Sequence, residues 1–201
     1  MTSEVVLVPG LWMPAAEMWL MAARLRRAGY ATGCFPFNGR QPFETNLERL
    51  ARHVDGRCVH FIGHSTGGVL IFDLLRRFPA LACGHVLLLG APVRGCLAGR
   101  RLGVAAIGRW MLGASLARWS ECDAEWRRPE PLGVIAGTLP LGLGRALGRL
   151  PGENDGVVRV DETWIDGMAD HVRVCAAHSM LPVSSHVASL ARQFIGTGRF
   201  A

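Results

Sequence analysis

The sequence predicts an α/β fold in which a mainly parallel, twisted sheet of about six strands carries helices on both faces. Short apolar runs of strand length alternate along the chain with helical runs of about a dozen residues. Several of the apolar runs are nearly continuous, which is typical of strands covered on both faces. The chain has 201 residues, of which 50% are hydrophobic and 19% are charged, and this composition indicates a single domain over residues 1–201.

The first apolar run, at 5–8, is rich in β-branched residues and ends at Pro9 and Gly10, where the chain turns. Similar runs predict further strands at 31–35, 58–62, 85–89, 133–136 and 171–175. The patterns between them predict helices at 15–28, 43–53, 66–78, 100–118 and 183–195. Strands that alternate with helices in this way imply right-handed β-α-β crossovers and hence a parallel sheet.

One stretch, at 91–131, follows a predicted strand and is too long for an ordinary connection. Long excursions at the carboxyl ends of parallel strands are where ligand sites and lids are built, so this stretch is expected to cover the substrate. Its part at 97–118 is apolar and arginine-rich, and it fits either a mobile lid or an ordinary packed helix. The stretch at 139–150 is expected to border the same cleft, and a chain of this length leaves no room for a separate cap domain.

All 22 basic residues are arginines. The absence of lysine excludes the phosphate-binding P-loop, Schiff-base chemistry and the Ser-x-x-Lys nucleophile, each of which needs a lysine amine. The net charge of +6 comes from arginines scattered over different predicted elements, which argues against nucleic-acid binding. A mildly basic rim is compatible with peripheral contact with an anionic membrane surface.

The six cysteines are irregularly spaced and contain no C-x-x-C pair. We therefore expect buried thiols rather than a metal or redox site, no metal or cofactor, and a reducing, cytoplasmic location. The first residues lack the pattern of a signal peptide, and no segment has the pattern of a membrane span.

The motif Gly-x-Ser-x-Gly at Gly63, Ser65 and Gly67 lies between a predicted strand and a predicted helix. This is the setting of a nucleophile elbow, in which a tight turn projects a serine hydroxyl at a helix N-terminus. Side-chain atoms at either glycine would crowd the neighbouring strand and helix. The backbone N–H of Thr66 and the helix dipole would then stabilise an oxyanion.

A nucleophilic serine needs a histidine base, which is expected just after the last strand. His178 lies in that loop. His171 begins the predicted strand itself, His186 lies in the final helix, and His64 would point beneath the serine and pack there. His178 is therefore the predicted base.

The base in turn needs an orienting acid, expected in the loop that follows strand 133–136. Asp155 is the candidate, because Asp-Gly is a turn pair that can present a carboxylate at a loop apex. Asp161, Asp166 and Asp170 are the alternatives, with Asp161 the first of them.

The second oxyanion donor is expected in the loop after the first strand, where Gly10 permits close backbone approach and Pro9 cannot donate. The backbone N–H of Leu11 is the predicted donor, with that of Trp12 as the alternative. Trp12, Trp110 and Met180 are the candidate substrate-binding side chains.

The sequence resembles the α/β-hydrolases of the compact lipase and esterase branch. The resemblance runs over about residues 5–194 and rests on the motif around Ser65, on the sequence from Asn154 to Val158, and on His178-Ser179. It implies Ser65 as nucleophile, Asp155 as acid, His178 as base, and the N–H groups of Thr66 and Leu11 as the oxyanion hole. Many relatives have His-Gly where this chain has Pro9 and Gly10, so the resemblance supports the second oxyanion donor less firmly than the triad.

The predicted function is that of a serine hydrolase that cleaves small-molecule or lipid esters through an acyl-enzyme intermediate. A thioesterase or acyltransferase would use the same triad, and a noncatalytic binding protein on the same scaffold is a further alternative. No obligate protein partner is evident from the sequence.

Overall fold

The computed structural model describes residues 4–11, 15–39, 41–112, 124–142 and 149–200. Within these ranges one sheet of six strands has the order β2-β1-β3-β4-β5-β6, and every neighbouring pair is parallel. The strands are β1 (Glu4–Val8), β2 (Ala31–Cys34), β3 (Val59–His64), β4 (Cys83–Leu89), β5 (Leu132–Gly137) and β6 (Asp170–Val174).

The helices lie between and after these strands. They are α1 (Trp19–Arg27), α2 (Phe43–Val54), α3 (Thr66–Arg77), α4 (Leu97–Leu102), α5 (Ala106–Leu112) and α6 (Ser185–Thr197). Short 3₁₀ helices occur at Ala15–Met18, Asp161–Thr163 and His178–Met180.

The α/β fold class predicted from the sequence is confirmed, and each predicted strand overlaps an observed one with its ends displaced by at most two residues. The continuous helix predicted at 100–118 is wrong for the described part, where α4 and α5 are separate helices. The reason is the close packing of α5 on α4: a Cβ at Gly108 would collide with the backbone carbonyl of Leu102. Residues 113–118 lie outside the described ranges.

Alternate residues of each strand face opposite sides of the sheet, as the two-residue period of a strand requires. Val6 and Val8 belong to a buried apolar cluster shared with α2 and α3. Val5 and Leu7 belong to a second buried cluster shared with α1 and α6. Both faces of β1 are therefore covered, which explains the continuous apolar run in its sequence.

The chain leaves β1 and β3 toward opposite faces of the sheet. The segment after β1 leads into α1 on one face, whereas the segment after β3 leads into α3 on the other. Because β1 and β3 are neighbours, a crevice opens between their carboxyl ends. Ser65 and the predicted oxyanion loop both lie at this crevice.

A third apolar cluster joins α4 and α5 to the loops after β1 and β5. Its buried members are Leu11, Cys96, Ala98, Leu112, Leu150 and Val158. In the described residues the segment predicted as lid or helix is therefore partly packed, while Val104 and Trp110 remain 79% and 72% exposed.

The buried carboxylate of Glu162 ties α4 to the loop that contains Asp155. One oxygen accepts the Leu97 N–H at 2.7 Å and the other accepts the Arg159 N–H at 2.8 Å. Burial raises the pKa of this carboxyl, and the two backbone donors oppose that effect.

The cysteines differ from the buried set expected from the sequence. Cys83 and Cys96 are buried, and burial raises the pKa of each thiol to about 12. Cys34 is half-buried, but Cys58 and Cys175 are exposed, so the prediction is wrong for those two. Cys122 lies outside the described residues, and in the described part of the chain no helix is long and apolar enough to cross a bilayer.

The turn around Ser65 predicts a sharp difference between two Gly→Ala variants. A Cβ at Gly63 would lie 2.5 Å from the Cα of Gly68, whereas a Cβ at Gly33 meets no atom within 4 Å. Gly63→Ala should lower the free energy of unfolding by about 1–3 kcal/mol. Gly33→Ala should leave it unchanged or raise it by up to about 1 kcal/mol. Equal urea midpoints for the two variants would contradict this packing.

The two hydrogen bonds that Glu162 accepts predict a difference in stability between two alanine variants. Glu162→Ala removes the acceptor of two backbone N–H groups and should destabilise the fold by about 1–3 kcal/mol for each donor left unsatisfied and buried. Asp161 is the matched control, since its carboxylate is 61% exposed and forms a surface ion pair with Arg159. Asp161→Ala should change the unfolding free energy by less than about 1 kcal/mol. Thermal and urea unfolding of the two variants measure the difference.

Candidate active site

Ser65 occupies the turn between β3 and α3. Its backbone has φ 52° and ψ −125°, and it is the one non-glycine residue with positive φ among the described residues. Such a conformation costs about 1–3 kcal/mol and persists only where the surroundings impose it. The hydroxyl is thereby held at the N-terminus of α3, as the nucleophile-elbow motif predicts.

The glycines of the motif impose this turn by close packing. A Cβ at Gly63 would collide with the backbone of Gly68 in α3, and a Cβ at Gly67 would collide with the carbonyl oxygens of Val8 and Pro9. The contacts expected from the sequence, with the neighbouring helix and strand, are therefore present.

His178 lies beside Ser65. Its Nε2 is 2.9 Å from the Ser65 Oγ, and its Nδ1 is 2.7 Å from Oδ2 of Asp155. The histidine follows β6 and begins a 3₁₀ helix. The order of the strands separates β6 from β3, the strand that precedes Ser65, by β4 and β5. A serine that is to act as a nucleophile requires this succession of contacts.

The Asp155 side chain is 1% exposed, and both of its carboxylate oxygens have hydrogen-bond partners. Its Oδ1 accepts the N–H groups of Val157 at 2.9 Å and Val158 at 2.7 Å, which leaves Oδ2 for His178. The backbone of the two residues is also joined, since the His178 N–H donates to the Asp155 carbonyl at 2.9 Å. Gly156, with φ 93°, makes this tight turn possible.

Gly90 permits the approach of the acid to the base. It follows β4 with φ 53°, and a Cβ there would lie 3.1 Å from Asp155 Oδ2 and 3.3 Å from His178 Nδ1. A glycine after an apolar strand is a common pattern, so the sequence offered little to distinguish this position.

The alternative histidines contact other groups. His171 lies in β6 with its Nε2 3.1 Å from the Thr163 hydroxyl, and burial lowers its pKa. His186 lies in α6.

The alternative acids are likewise engaged elsewhere. Asp161 pairs with Arg159, Asp166 pairs with Arg94, and the Asp170 carboxylate accepts the Phe200 N–H.

Of the two predicted oxyanion donors, Thr66 is next to Ser65 in the chain, and Leu11 belongs to a loop that lies next to Ser65 in space. Thr66 is the first residue of α3 and is buried. Gly10 brings the loop after β1 against the serine, because a Cβ there would lie 3.2 Å from the Ser65 Cβ. Leu11 follows directly and is buried in the third cluster.

The three candidate substrate-binding residues differ in position. Met180 closes the 3₁₀ helix that His178 begins and is 51% exposed. Trp110 projects from α5 and is 72% exposed. Trp12 lies outside the described residues.

The sequence interpretation missed one buried contact of the site. Nδ1 of His64 is in contact with the Glu17 carboxyl group, and its Nε2 is 3.1 Å from the carbonyl oxygen of His178. The sequence predicts that His64 packs beneath the serine, and His64 is buried. Glu17 and His64 are far apart in the sequence, and no spacing pattern indicates that they are in contact.

A surface cleft of about 900 Å³ lies apart from Ser65, His178 and Asp155. Among its lining groups, Arg94 pairs with Asp166 and Arg173 pairs with Glu153. In the described part of the chain, no group of three His, Cys, Asp or Glu side chains is arranged to hold a metal ion.

Several solved structures have a fold similar to that of this chain. A lipase from Bacillus licheniformis, BlEst2 in its mature form, superposes with a TM-score of 0.75 at 15% identity, over 98% of this chain and 92% of that one. A pyrethroid hydrolase from Sphingobium faniae gives 0.64 at 13% identity, over 98% of each chain. The phospholipase PlaB of Legionella pneumophila gives 0.60 at 16% identity, over 80% of this chain and 45% of that one.

A search of curated protein sequences found no match. The sequence profile of the alpha/beta hydrolase family matches residues 5–195, which is nearly the whole chain. Together with the six-stranded parallel sheet, this match shows that the chain belongs to the alpha/beta hydrolase family.

Proposed function

We propose that this hydrolase cleaves carboxylic esters, with Ser65 as nucleophile, His178 as general base and Asp155 as the acid that orients the base. The observation that carries the proposal is the continuous set of contacts from the Ser65 Oγ through both ring nitrogens of His178 to Asp155 Oδ2, at 2.9 and 2.7 Å. The full satisfaction of Asp155 Oδ1 by backbone donors supports the same roles, because it leaves the other oxygen to His178.

In the acylation step, Ser65 Oγ attacks the ester carbonyl while His178 Nε2 takes the hydroxyl proton. Asp155 stabilises the imidazolium so formed. His178 then protonates the leaving alkoxide, and the acyl group remains on Ser65. In the second step, a water molecule loses a proton to His178 and attacks the acyl carbonyl. The bond to Ser65 Oγ then breaks, His178 returns the proton to that oxygen, and the carboxylic acid leaves.

The tetrahedral intermediates carry a negative oxygen, for which we propose the backbone N–H groups of Thr66 and Leu11 as donors. The burial of both residues supports this assignment, because preorganised donors act most strongly where water is excluded. The position of Thr66 at the N-terminus of α3 adds the helix dipole.

An apolar acyl or alcohol group suits the surroundings of the site. The cluster that contains Leu11, Ala98, Leu112 and Val158 lies over the loops of the site, and Met180 is exposed beside His178. A small-molecule or lipid ester is therefore the proposed substrate. The neighbours named as a lipase, a phospholipase and a pyrethroid hydrolase support a lipase- or esterase-like reaction.

Lipid substrates also favour peripheral contact with a membrane surface, which we propose for α4 and α5. Residues 74–120 contain no acidic residue. Val104 and Trp110 are exposed on this segment together with Arg101 and Arg109. Apolar tips surrounded by arginines match an anionic lipid interface.

The first test is removal of the nucleophile. Ser65→Ala should lower kcat for p-nitrophenyl esters on the order of 10⁶-fold and abolish labelling by a fluorophosphonate probe. Ser179→Ala is the control, because Ser179 is exposed next to His178 and should retain both activity and labelling. Undiminished turnover in Ser65→Ala would refute the mechanism, and a wild-type protein that does not label would favour a binding protein. Transfer of the acyl group to an added alcohol in preference to water would instead indicate an acyltransferase.

The second test concerns the membrane surface. Arg109→Gln should weaken binding to phosphatidylglycerol vesicles about fivefold, corresponding to about 1 kcal/mol per basic residue near an anionic surface. Arg192→Gln, an exposed position on α6, should leave vesicle binding unchanged. Cosedimentation with vesicles at low and high salt measures the effect. Equal binding to phosphatidylcholine and phosphatidylglycerol vesicles would contradict the electrostatic contribution.

A further inference from the structure

A second histidine–carboxylate pair lies beneath the proposed triad. The side chains of His64 and Glu17 are each 2% exposed, and Nδ1 of His64 contacts the Glu17 carboxylate. The pair lies against the serine turn: a Cβ at Gly10 would be 3.3 Å from His64 Nδ1 and 3.2 Å from the Ser65 Cβ. The mechanism proposed above uses neither residue.

The other nitrogen of His64 reaches the base. Its Nε2 lies 3.1 Å from the backbone carbonyl oxygen of His178, and the two imidazole rings have centroids 4.7 Å apart. A carbonyl oxygen only accepts hydrogen bonds, so Nε2 must carry the proton. His64 therefore holds the backbone of the residue whose side chain faces Ser65.

The proton on Nε2 constrains the contact between the other ring nitrogen, Nδ1, and Glu17. With Nε2 protonated, a neutral His64 presents a lone pair at Nδ1, which would repel an ionised carboxylate at contact distance. A favourable contact between Nδ1 and Glu17 therefore requires one further proton between the two groups. Burial lowers the pKa of His64, and of the facing groups His178 acts in the same sense while Glu17 and Asp155 oppose it.

The pair also joins three separate segments of the site. Glu17 belongs to the 3₁₀ helix Ala15–Met18, in the connection from β1 that includes the predicted oxyanion donor Leu11. His64 is the last residue of β3 and precedes Ser65. His178 follows β6.

We infer that Glu17 and His64 are positioning residues, which keep the backbone of His178, and through it the imidazole, in register with Ser65. This inference rests on the proposed function. Glu17 holds the His64 ring at Nδ1, and the Nε2–H on the opposite side of the ring holds the His178 carbonyl. Without a polar partner at position 17, the His64 ring can turn away from that carbonyl oxygen, and the backbone of His178 loses its support.

Two variants of similar size separate positioning from packing. In Glu17→Gln the amide N–H can donate to Nδ1 of His64, so the ring keeps a polar partner and kcat should stay within about threefold of the wild-type value. In Glu17→Met that polar partner is lost, and kcat for p-nitrophenyl esters should fall about 10–100-fold with little change in KM, as a displacement of about 1 Å at a catalytic group can produce. Rescue by glutamine but not by methionine is the result expected. Wild-type kcat in a folded Glu17→Met enzyme would overturn the inference.

A spectroscopic measurement on the wild-type protein provides an independent test if Glu17→Met does not fold. Ring ¹⁵N resonances of His64, assigned through its own backbone, should show a protonated Nε2 at all pH values between about 5 and 9, the range in which an ordinary histidine titrates. An unprotonated Nε2 would overturn the inference. Failure of the proposed function is distinguishable, because it would appear as turnover that survives Ser65→Ala, whereas failure of this inference leaves turnover dependent on Ser65 and independent of Glu17.

Discussion

The close approach of β1, β3 and α3 at the serine turn is the constraint on which the remaining structure depends. Side-chain atoms at Gly63 or Gly67 would collide with backbone atoms of the neighbouring helix or strand, so no bulkier residue fits without displacing an element of the core. This close packing forces Ser65 into a positive φ, which a serine adopts only at a cost in free energy. The sheet, covered by helices on both faces, supplies the stability that maintains this conformation.

Buried carboxylates organise the loops around that turn. Asp155 accepts two backbone N–H groups and contacts His178, Glu162 accepts N–H groups from α4 and from the loop of Asp155, and Glu17 contacts His64. Each carboxylate joins segments that are far apart in the sequence. A buried carboxylate without hydrogen-bond partners would be strongly unfavourable, so the loops around Asp155 and Glu162 are stable only in the arrangement that satisfies these two groups.

The helices α4 and α5 belong to the segment that the sequence predicts as the substrate cover. The short helices α4 and α5 contribute Ala98 and Leu112 to an apolar cluster with Leu11, while their outer surface exposes Val104 and Trp110. Packing on one side and exposure on the other explain why the sequence fitted both a lid and an ordinary helix.

The sequence alone determined the strands and most helices, and it predicted Ser65, Asp155 and His178, which the structure places in contact. Strand periodicity, turn chemistry and the elbow motif are local signals. It did not determine the break between α4 and α5, which depends on the contact of Gly108 with Leu102. Nor could it reveal Glu17 beside His64 or Glu162 beneath α4, since no spacing rule relates residues that only the packing of separate elements brings together. Tertiary structure decided these contacts because burial removes water as an alternative partner, and each buried polar group must then be satisfied by whichever group the fold places beside it.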